Sequence, residues 1–446
     1  MSSEDFSEIE HRHVFGTWKA QRAHRPKTVV GAEGVYFTDD KGNRYLDLSS
    51  QLIASNLGHG NKAVIAAVQK QIERLQYISP GFTTPQKAEL GRLLAEITPG
   101  TLDRSFFSTS GTEANEAAIK IARAYTGGYK VISRYRSYHG STAASISITG
   151  DPRRHWVEPA GRMVGALHGP DAYCYRCPLM HEYPDCGIAC AEYIRYMIEM
   201  EHEDKVAAVV VEPVVGSNGV IVPPDEYLPI LREITEETGT LLIADEVMTG
   251  FGRTGEWFAV NHWDVVPDII TMAKGLTGSY VPFGATIVSK EIADHFEEEP
   301  FMHGHTFTGH SLGAAAALAA IREYKEKGLV ENARQLGPYL GKRLKELMER
   351  HPSIGDVRGL GLFWGVELVK DREKKVPFLE REDKLKGTQT AVDQVVANAM
   401  KEGVYVLAML SVLLIAPPLT VTKEQIDEGM EGLDKALVAT DREAAG

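Results

Sequence analysis

"LLIADEVMTGFGRTG", residues 241–255, is the stretch that decides the fold of this chain. A short apolar run ends in two acids, Asp245 and Glu246, and a glycine-rich loop follows at once. Such a run is typical of a strand that is buried on both faces of a parallel sheet. Carboxylates at the C-terminal edge of such a sheet lie where α/β proteins bind ligands. Asp245 could hold a protonated ring nitrogen or a metal there, and a strand-end cap is the ordinary alternative.

A lysine stands at the end of the next predicted strand. "DIITMAKGLTGSY", residues 268–280, is a short apolar run that reaches Lys274 and a glycine-rich turn. Most lysines at strand ends are solvated charges. Lys274, however, follows Asp245 by 29 positions (274 minus 245), after one loop and one strand. Two successive strands would thus bring an acid and an amine to the same sheet edge, which is the pair that a Schiff-base cofactor requires.

The surrounding pattern predicts an α/β fold. Strand-like and helical segments alternate from about residue 85 to 325, which indicates a large domain with a mainly parallel central sheet flanked by helices. The chain ends differ: a hairpin pattern at 34–48, a strand "GLGLFWGVELV" at 359–369, and a final strand and helix. We expect both ends to form a smaller α+β domain, with residues 1–60 and 329–446 in it and 61–328 in the large domain.

Composition restricts the possible partners. The chain has 446 residues, with 61 acidic and 48 basic residues, which gives a net charge of −13. This excess disfavours nucleic acid and anionic membranes as partners, because both are polyanions. The polar start "MSSEDFSEIEHRH" lacks the apolar segment of a signal peptide, and no apolar run reaches about 20 residues. The expectation is a cytoplasmic enzyme that binds neither nucleic acid nor membrane.

All four cysteines fall within "YCYRCPLMHEYPDCGIAC", residues 173–190. Cys174, Cys177, Cys186 and Cys190 have a spacing that resembles zinc ligands, although the central gap is shorter than in typical zinc modules. The alternative is a loop insertion whose thiols pack against tyrosine and proline. We expect no catalytic metal, and a structural zinc on these cysteines stays an alternative.

Two segments have the character of phosphate-binding turns. Ser110, Gly111 and Thr112 lie between a predicted strand and a helix, where free N–H groups and the helix dipole favour an anion. An ordinary helix cap by Ser110 or Thr112 is the alternative. Thr306, in "HGHTFTGHSLG" at 303–313, stands in a second such turn before another helix.

Other polar and aromatic side chains follow further predicted strands. Tyr138, in "RSYHGST", could stack on a planar cofactor, and His139 beside it could be an ordinary loop histidine. Glu212 ends the buried run "KVAAVVVEPVV". Together these residues outline a site for a ring, a phosphate and an aldehyde.

Seven motifs, in this order along the chain, resemble the class III (subgroup II) aminotransferases of the pyridoxal-phosphate fold type I superfamily. They are "STSGTEANEAAIKIAR", "YRSYHGST", "VVVEPV", "LLIADEVMTGFGRTG", "DIITMAKGL", "HTFTGHSLGAAAALA" and "RGLGLFWGVEL". The resemblance extends from about residue 30 to 430. It implies the fold type I architecture and pyridoxal 5'-phosphate as the cofactor.

The resemblance also implies a role for each candidate residue. Lys274 would be the Schiff-base lysine and proton shuttle, and Asp245 would pair with the pyridinium nitrogen. Ser110, Gly111 and Thr112 would bind the phosphate, and Thr306 of a partner subunit would complete that phosphate site. Tyr138 would stack on the ring, and Val247 would pack against the opposite ring face. His139 would support the site, and Glu212 would lie near the ring hydroxyl. A site completed in this way implies a homodimer, and assembly of dimers into a tetramer stays an alternative.

Two positions depart from common patterns of the family. Leu407 stands ten positions before Pro417, where many members that accept α-carboxylates have a mobile arginine. Ile53 stands where many amine-accepting members have tryptophan. With Met409 these residues predict an apolar substrate pocket without the usual carboxylate clamp. "SSQLIASNLGHGNK" and the four-cysteine insertion resemble the branch of taurine–pyruvate and other ω-amino acid aminotransferases.

The function implied is transfer of an amino group from a primary amine or ω-amino acid, such as taurine or β-alanine, to a keto acid by ping-pong chemistry, with pyruvate as the expected acceptor. A decarboxylating aminotransferase or an aminomutase of the same family stays an alternative, because the pocket decides between them. A catalytically silent scaffold that binds pyridoxal phosphate is a more distant one.

Overall fold

A computed structural model describes residues 5–379 and 388–444 of the chain. Its strands are β1 Val29–Glu33, β2 Tyr36–Asp39, β3 Arg44–Asp47, β4 Leu102–Ser108, β5 Lys130–Arg134, β6 Ala166–Gly169, β7 Val206–Val211, β8 Leu241–Asp245, β9 Ile269–Met272, β10 Gly284–Ser289, β11 Ile354–Leu360, β12 Phe363–Asp371, β13 Val376–Pro377, β14 Val404–Tyr405, β15 Leu407–Met409 and β16 Val412–Ile415.

The helices alternate with these strands through the middle of the chain. They are α1 Phe6–His13, α2 Lys62–Arg74, α3 Pro85–Ile97, α4 Gly111–Thr126, α5 Ala143–Ile148, α6 Ala189–Glu201, α7 Tyr227–Thr238, α8 Lys290–His295, α9 Ser311–Glu326, α10 Leu329–Arg350, α11 Ala391–Lys401 and α12 Lys423–Asp441. Short 3-10 turns include Pro152–Trp156, Cys174–Arg176 and Lys274–Leu276. Ser50–Ile53 makes one helix-like turn in which Gln51 and Leu52 have non-helical dihedral angles.

A seven-stranded sheet forms the centre of the fold. Its order is β4-β10-β9-β8-β7-β5-β6. The neighbours from β9 to β6 are parallel, and β10 is antiparallel to both β9 and β4. Every residue of β7, β8 and β9 is buried, which explains why these strands are apolar almost throughout. The predicted mainly parallel sheet flanked by helices is confirmed.

The two chain ends meet in the smaller sheets. β14 pairs in parallel with β3, so that Val404 lies opposite Leu46 in a sheet of order β1-β2-β3-β14. A second sheet has the order β11-β12-β16-β15, with β13 on β12. The joining of both ends agrees with the α+β unit expected from the sequence. The boundaries after residues 60 and 328 stay a prediction.

One strand prediction at the C-terminal end is wrong. "GLGLFWGVELV" was expected to be a single strand, but it contains the turn of an antiparallel hairpin between β11 and β12. Gly361 in the turn has φ of +53°, and a Cβ atom there would lie 2.2 Å from the backbone carbon of Thr254. The chain turns here because only glycine fits both the left-handed conformation and the close approach.

None of the described helices is both long enough and apolar enough to span a membrane.

Candidate active site

Lys274 lies directly after β9 and begins a 3-10 turn. Its φ of +41° is rare for a residue other than glycine and marks local strain. The residue is half-buried, and its ammonium group donates no hydrogen bond within the described part of the chain. Burial lowers the pKa of Lys274 to about 8, the negative charges of Asp245 and Glu212 oppose this shift, and Arg153 and Arg253 add to it. A substantial fraction of the amine is therefore neutral near physiological pH.

Asp245, at the end of β8, is held in a fixed orientation by three donors. Its Oδ2 accepts hydrogen bonds from Asn115 Nδ2 and from His139 Nδ1, both at 2.8 Å, and its Oδ1 accepts one from the backbone N–H of Val247 at 3.1 Å. Asn115 is fixed in turn, because its Oδ1 accepts a hydrogen bond from Thr271 Oγ1 at 2.8 Å. The carboxylate is thus buried and ready to meet a cationic ring nitrogen.

The neighbouring acid, Glu246, does not join the site. Its Oε1 accepts a hydrogen bond from the backbone N–H of Val260 at 2.9 Å, and its Oε2 accepts one from the Thr249 hydroxyl. Burial raises the pKa of Glu246 to about 7. Glu246 therefore fixes the loop that follows β8, as a structural cap would.

The start of α4 forms a cradle with the loop that contains Gly140. Ser110 caps the helix, since its Oγ accepts a hydrogen bond from the backbone N–H of Glu113 at 3.4 Å. Thr112 Oγ1 accepts one from the backbone N–H of Ser141 at 3.0 Å. Gly140 has φ of +144°, and a Cβ atom there would lie 2.1 Å from Thr112 Oγ1. A Cβ atom on Gly111 would lie 2.7 Å from Val247 Cγ1, so both glycines permit approaches that a side chain would block.

Tyr138 and Glu212 are linked at the edge of the sheet. Glu212 Oε1 accepts a hydrogen bond from the backbone N–H of Tyr138 at 3.0 Å, and Oε2 accepts one from the backbone N–H of Gly216 at 2.8 Å. Burial raises the pKa of Glu212. The hydroxyl of Tyr138 is 2.8 Å from Ser141 Oγ, which fixes the aromatic ring beside the cradle.

No sequence pattern indicated Arg153, which lies against the same tyrosine. Its guanidinium carbon is 3.8 Å from the centroid of the Tyr138 ring. Asp151 accepts from its Nε at 3.0 and 2.9 Å, and Nη2 donates to Ser217 Oγ at 3.1 Å. Nη1 donates no hydrogen bond to any residue that the structure describes. The pattern "GDPRRHW" reads as surface charge, and only the 3-10 turn Pro152–Trp156 brings this arginine to the site.

The family model described as "Aminotransferase class-III" matches residues 19–437 of the chain. The chain belongs to the class-III aminotransferases. It is 40% identical over 433 residues to a leucine/methionine racemase of Thermococcus litoralis, covering 96% of this chain and 94% of that protein. It is 34% identical to a taurine–pyruvate aminotransferase of Bilophila wadsworthia, covering 97% of each chain. The structure of a taurine:2-oxoglutarate aminotransferase from Bifidobacterium kashiwanohense, in complex with pyridoxal phosphate and glutamate, aligns with a TM-score of 0.94 at 34% identity over 99% of both chains.

Class-III aminotransferases use pyridoxal 5'-phosphate, and the geometry of this chain fits that group. Lys274 offers an amine without a described hydrogen-bond partner, Asp245 offers an oriented carboxylate, and the Gly111–Thr112 helix start offers backbone N–H groups. His139 Nδ1 bonds to Asp245, its Nε2 is buried without a described partner, and the charge of Asp245 acts on Lys274. These groups match the ring nitrogen, the phosphate and the aldehyde of the cofactor.

The residues predicted to line the substrate pocket do come together. Ile53 is buried in one apolar cluster with Val220 and Val412, and Leu407 and Met409 pack against it. Ile53 has φ of +52°, which marks local backbone strain. That Ile53, Leu407 and Met409 line the substrate pocket of this aminotransferase stays a prediction.

Thr306 lies apart from the strands that carry the other residues, in an exposed loop. Its carbonyl accepts a hydrogen bond from Tyr77 Oη at 3.0 Å. Large apolar side chains nearby face solvent, since Phe307 is 52% and Met302 is 86% exposed. Its predicted role across a subunit interface stays a prediction.

The four cysteines line a single cavity together with Tyr173, His181 and Tyr183. Among the described residues, however, no group of three or more histidine, cysteine or acidic side chains is placed to hold a metal ion. Burial raises the pKa of Cys190 to about 12 and also raises that of Cys174, which favours thiols over thiolates. Thiols packed beside tyrosines agree with the loop insertion described above, and a structural zinc stays an alternative.

Proposed function

We propose that this enzyme, a class-III aminotransferase of the ω-transaminase type, transfers the amino group of a small donor with an anionic end group, such as taurine or β-alanine, to pyruvate. The observation that carries the proposal is Arg153. It provides a cationic hydrogen-bond donor beside Tyr138, and its charge acts on Lys274, whereas the position expected for the carboxylate-binding arginine is the apolar Leu407.

The cofactor, when bound, acts as the electron sink for the bond cleavage at the donor carbon. Lys274 would hold it covalently and, once released by the donor, would move the proton at that carbon, because burial keeps its pKa low enough to accept one. Asp245 would keep the ring nitrogen protonated. Ser110, Gly111 and Thr112 would bind the phosphate, and Tyr138 and Val247 would enclose the ring from its two faces.

The free edge of Arg153 suits a carboxylate or a sulfonate. Nε and Nη2 are engaged by Asp151 and Ser217, while Nη1 is not engaged by a described residue. The Arg153 side chain is 18% exposed and stacks on Tyr138, so it is rigid and partly desolvated. A hydrogen bond between charged groups in such a setting contributes about 1.5–3 kcal/mol.

The test is the first half-reaction, measured without a keto acid so that the acceptor's carboxylate does not intervene. Wild type and Arg153→Gln are mixed with taurine, β-alanine, 4-aminobutyrate or 1-phenylethylamine, and the spectral change of the cofactor is followed. The variant should lose about 10- to 150-fold in kcat/KM for the three anionic donors and little for 1-phenylethylamine. An equal loss for all four donors would contradict the role of Arg153.

Racemisation of an α-amino acid is a second candidate function, because a leucine/methionine racemase is 40% identical over 96% of this chain. Both reactions need a proton moved at the donor carbon by Lys274, but racemisation consumes no keto acid. Incubation of the enzyme with L-leucine or L-methionine alone separates them. Repeated appearance of the D-enantiomer over many turnovers supports racemisation, whereas a single turnover that stops at the aminated cofactor supports transfer.

We also propose a homodimer in which Thr306 completes the phosphate site of the partner subunit. The exposed Phe307 and Met302 beside it support an interface there. Subunits with Lys274→Ala and subunits with Thr306→Asp are each expected to be inactive. Co-expressed mixtures should regain activity, because one site of the mixed dimer combines native Lys274 with native Thr306. A lack of recovery would place Thr306 in its own subunit's site. A cytoplasmic location stays a prediction.

A further inference from the structure

The segment that follows Glu212, residues 213–221, touches both members of the Arg153–Asp151 pair. Ser217 Oγ accepts a hydrogen bond from Arg153 Nη2 at 3.1 Å, and Asn218 Nδ2 donates one to Asp151 Oδ2 at 3.2 Å. Asp151 and Asn218 are buried. The position of the Arg153 guanidinium therefore depends on where this segment lies.

The far end of the same segment is held by Arg358 from β11. Arg358 Nε donates to the carbonyl oxygens of Gly219 and Val220, both at 3.1 Å, and its Nη2 donates to the Gly219 oxygen at 2.6 Å. Gly219 has φ of +122°, and a Cβ atom there would lie 3.1 Å from Arg358 Nη2. The backbone and the guanidinium are thus in direct contact, and glycine permits it.

Arg358 is itself fixed by two carboxylates. Its Nη1 lies 2.5 Å from Asp356 Oδ2 and 2.8 Å from Glu367 Oε2. Glu367, on β12, also accepts a hydrogen bond from the Tyr173 hydroxyl and one from Arg176 Nε at 2.6 Å. The guanidinium of Arg358 therefore has a single orientation, set by strands of the C-terminal sheet and by the cysteine-containing insertion.

We propose that Arg358 is a positioning residue that sets the selectivity for anionic substrates. Arg358 fixes the backbone at Gly219 and Val220. Ser217 and Asn218 belong to the same segment, so their side chains are fixed with it. Ser217 then holds Arg153 directly, and Asn218 holds it through Asp151. This inference rests on the anion-binding role proposed for Arg153. A residue of the C-terminal sheet would thus control the selectivity for the substrate's anionic end group.

Two variants test the inference from opposite ends of the segment. Arg358→Lys keeps the positive charge beside the carboxylates, but an ammonium group cannot match the two-nitrogen contact with both carbonyl oxygens. Asn218→Ala leaves the Arg358 cluster intact and removes only the hydrogen bond to Asp151. Arg350→Lys is the control, because Arg350 is an exposed arginine of α10 that pairs with Asp434.

The readout is the first half-reaction with β-alanine or taurine and with 1-phenylethylamine, together with inhibition by propionate, a carboxylate without an amine. Arg358→Lys and Asn218→Ala should each lower the ratio of kcat/KM for anionic over anion-free donor by about 3- to 30-fold. The change should lie in KM, and the inhibition constant of propionate should rise by a similar factor. Arg350→Lys should leave all three values unchanged, and the cofactor spectrum should be the same in every variant.

The outcomes separate this inference from the proposed function. If Arg153→Gln changes the donor ratio but Arg358→Lys and Asn218→Ala do not, Arg358 is not a positioning residue and the anion role of Arg153 stands. If Arg153→Gln leaves the ratio unchanged, the anion role itself fails. If Arg358→Lys lowers kcat for all donors alike and leaves propionate inhibition unchanged, its effect is purely structural and the inference is overturned.

Discussion

Glu246→Gln should change the way in which stability depends on pH. Glu246 has a pKa of about 7 in the folded chain, against 4.5 for an ordinary glutamate. Between these values the folded state keeps a proton that the unfolded chain releases, so the free energy of unfolding falls as pH rises. The free energy of unfolding falls by about 1.36 kcal/mol for each pH unit, or by about 3 kcal/mol between pH 4.5 and 7. Above pH 7 this contribution is not regained.

Glutamine has no such proton to lose, and its amide can accept the Val260 N–H while donating to the Thr249 hydroxyl. Relative to wild type, the variant should therefore gain about 3 kcal/mol between pH 4.5 and 8. The assay is denaturant unfolding of the holoenzyme over this range at one protein and one cofactor concentration, because bound ligand shifts apparent stability. Glu203→Gln, at an exposed glutamate, is the control. Parallel curves for wild type and Glu246→Gln would refute the reasoning.

Three further changes test the cofactor site. Asn115→Ala removes one of the hydrogen bonds that orient Asp245, so kcat/KM should fall about 10- to 150-fold, while borohydride still reduces the lysine–cofactor adduct. Lys274→Ala should abolish that adduct, and mass spectrometry that found it on another lysine would contradict the assignment. Gly140→Ala should weaken cofactor binding, measured by fluorescence, about 10-fold or more, because its Cβ would clash with Thr112. Gly127→Ala, at another left-handed glycine where a Cβ meets nothing within 4 Å, should leave cofactor affinity unchanged.

The arrangement of Asp245 and Lys274 could be predicted because both residues follow strands of a parallel sheet. Parallel strands that are neighbours in the sheet end at the same edge, so β8 and β9 deliver the acid and the amine together. Gly111 was predictable for a similar reason, because the strand-to-helix turn before α4 must approach the sheet edge closely. The prediction of these residues depends on local sequence patterns and on one rule of sheet topology.

Asn115, Thr271 and Arg153 could not be predicted, because their roles depend on how separate elements cross. Asn115 looks like an ordinary polar residue of α4 until the helix lies across β8 and β9, where it bridges Asp245 and Thr271. Arg153 looks like surface charge until its 3-10 turn places it on Tyr138. The hairpin at Gly361 was missed for a related reason, since its turn is required by contact with a distant loop at Thr254.

The two adjacent acids of "ADEV" show how the fold directs only one of two neighbouring carboxylates into the site. Successive residues at the end of a strand point to opposite faces of the sheet, so Asp245 turns toward α4 and Glu246 toward the loop at Val260. Three donors stabilise the carboxylate of Asp245, whereas burial raises the pKa of Glu246 to about 7. A protonated ring nitrogen carries one positive charge and needs one carboxylate opposite it. The charges that act on the Lys274 amine are those of Asp245, Glu212, Arg153 and Arg253, so Glu246 serves as a structural cap without entering the electrostatics of the lysine on which proton transfer depends.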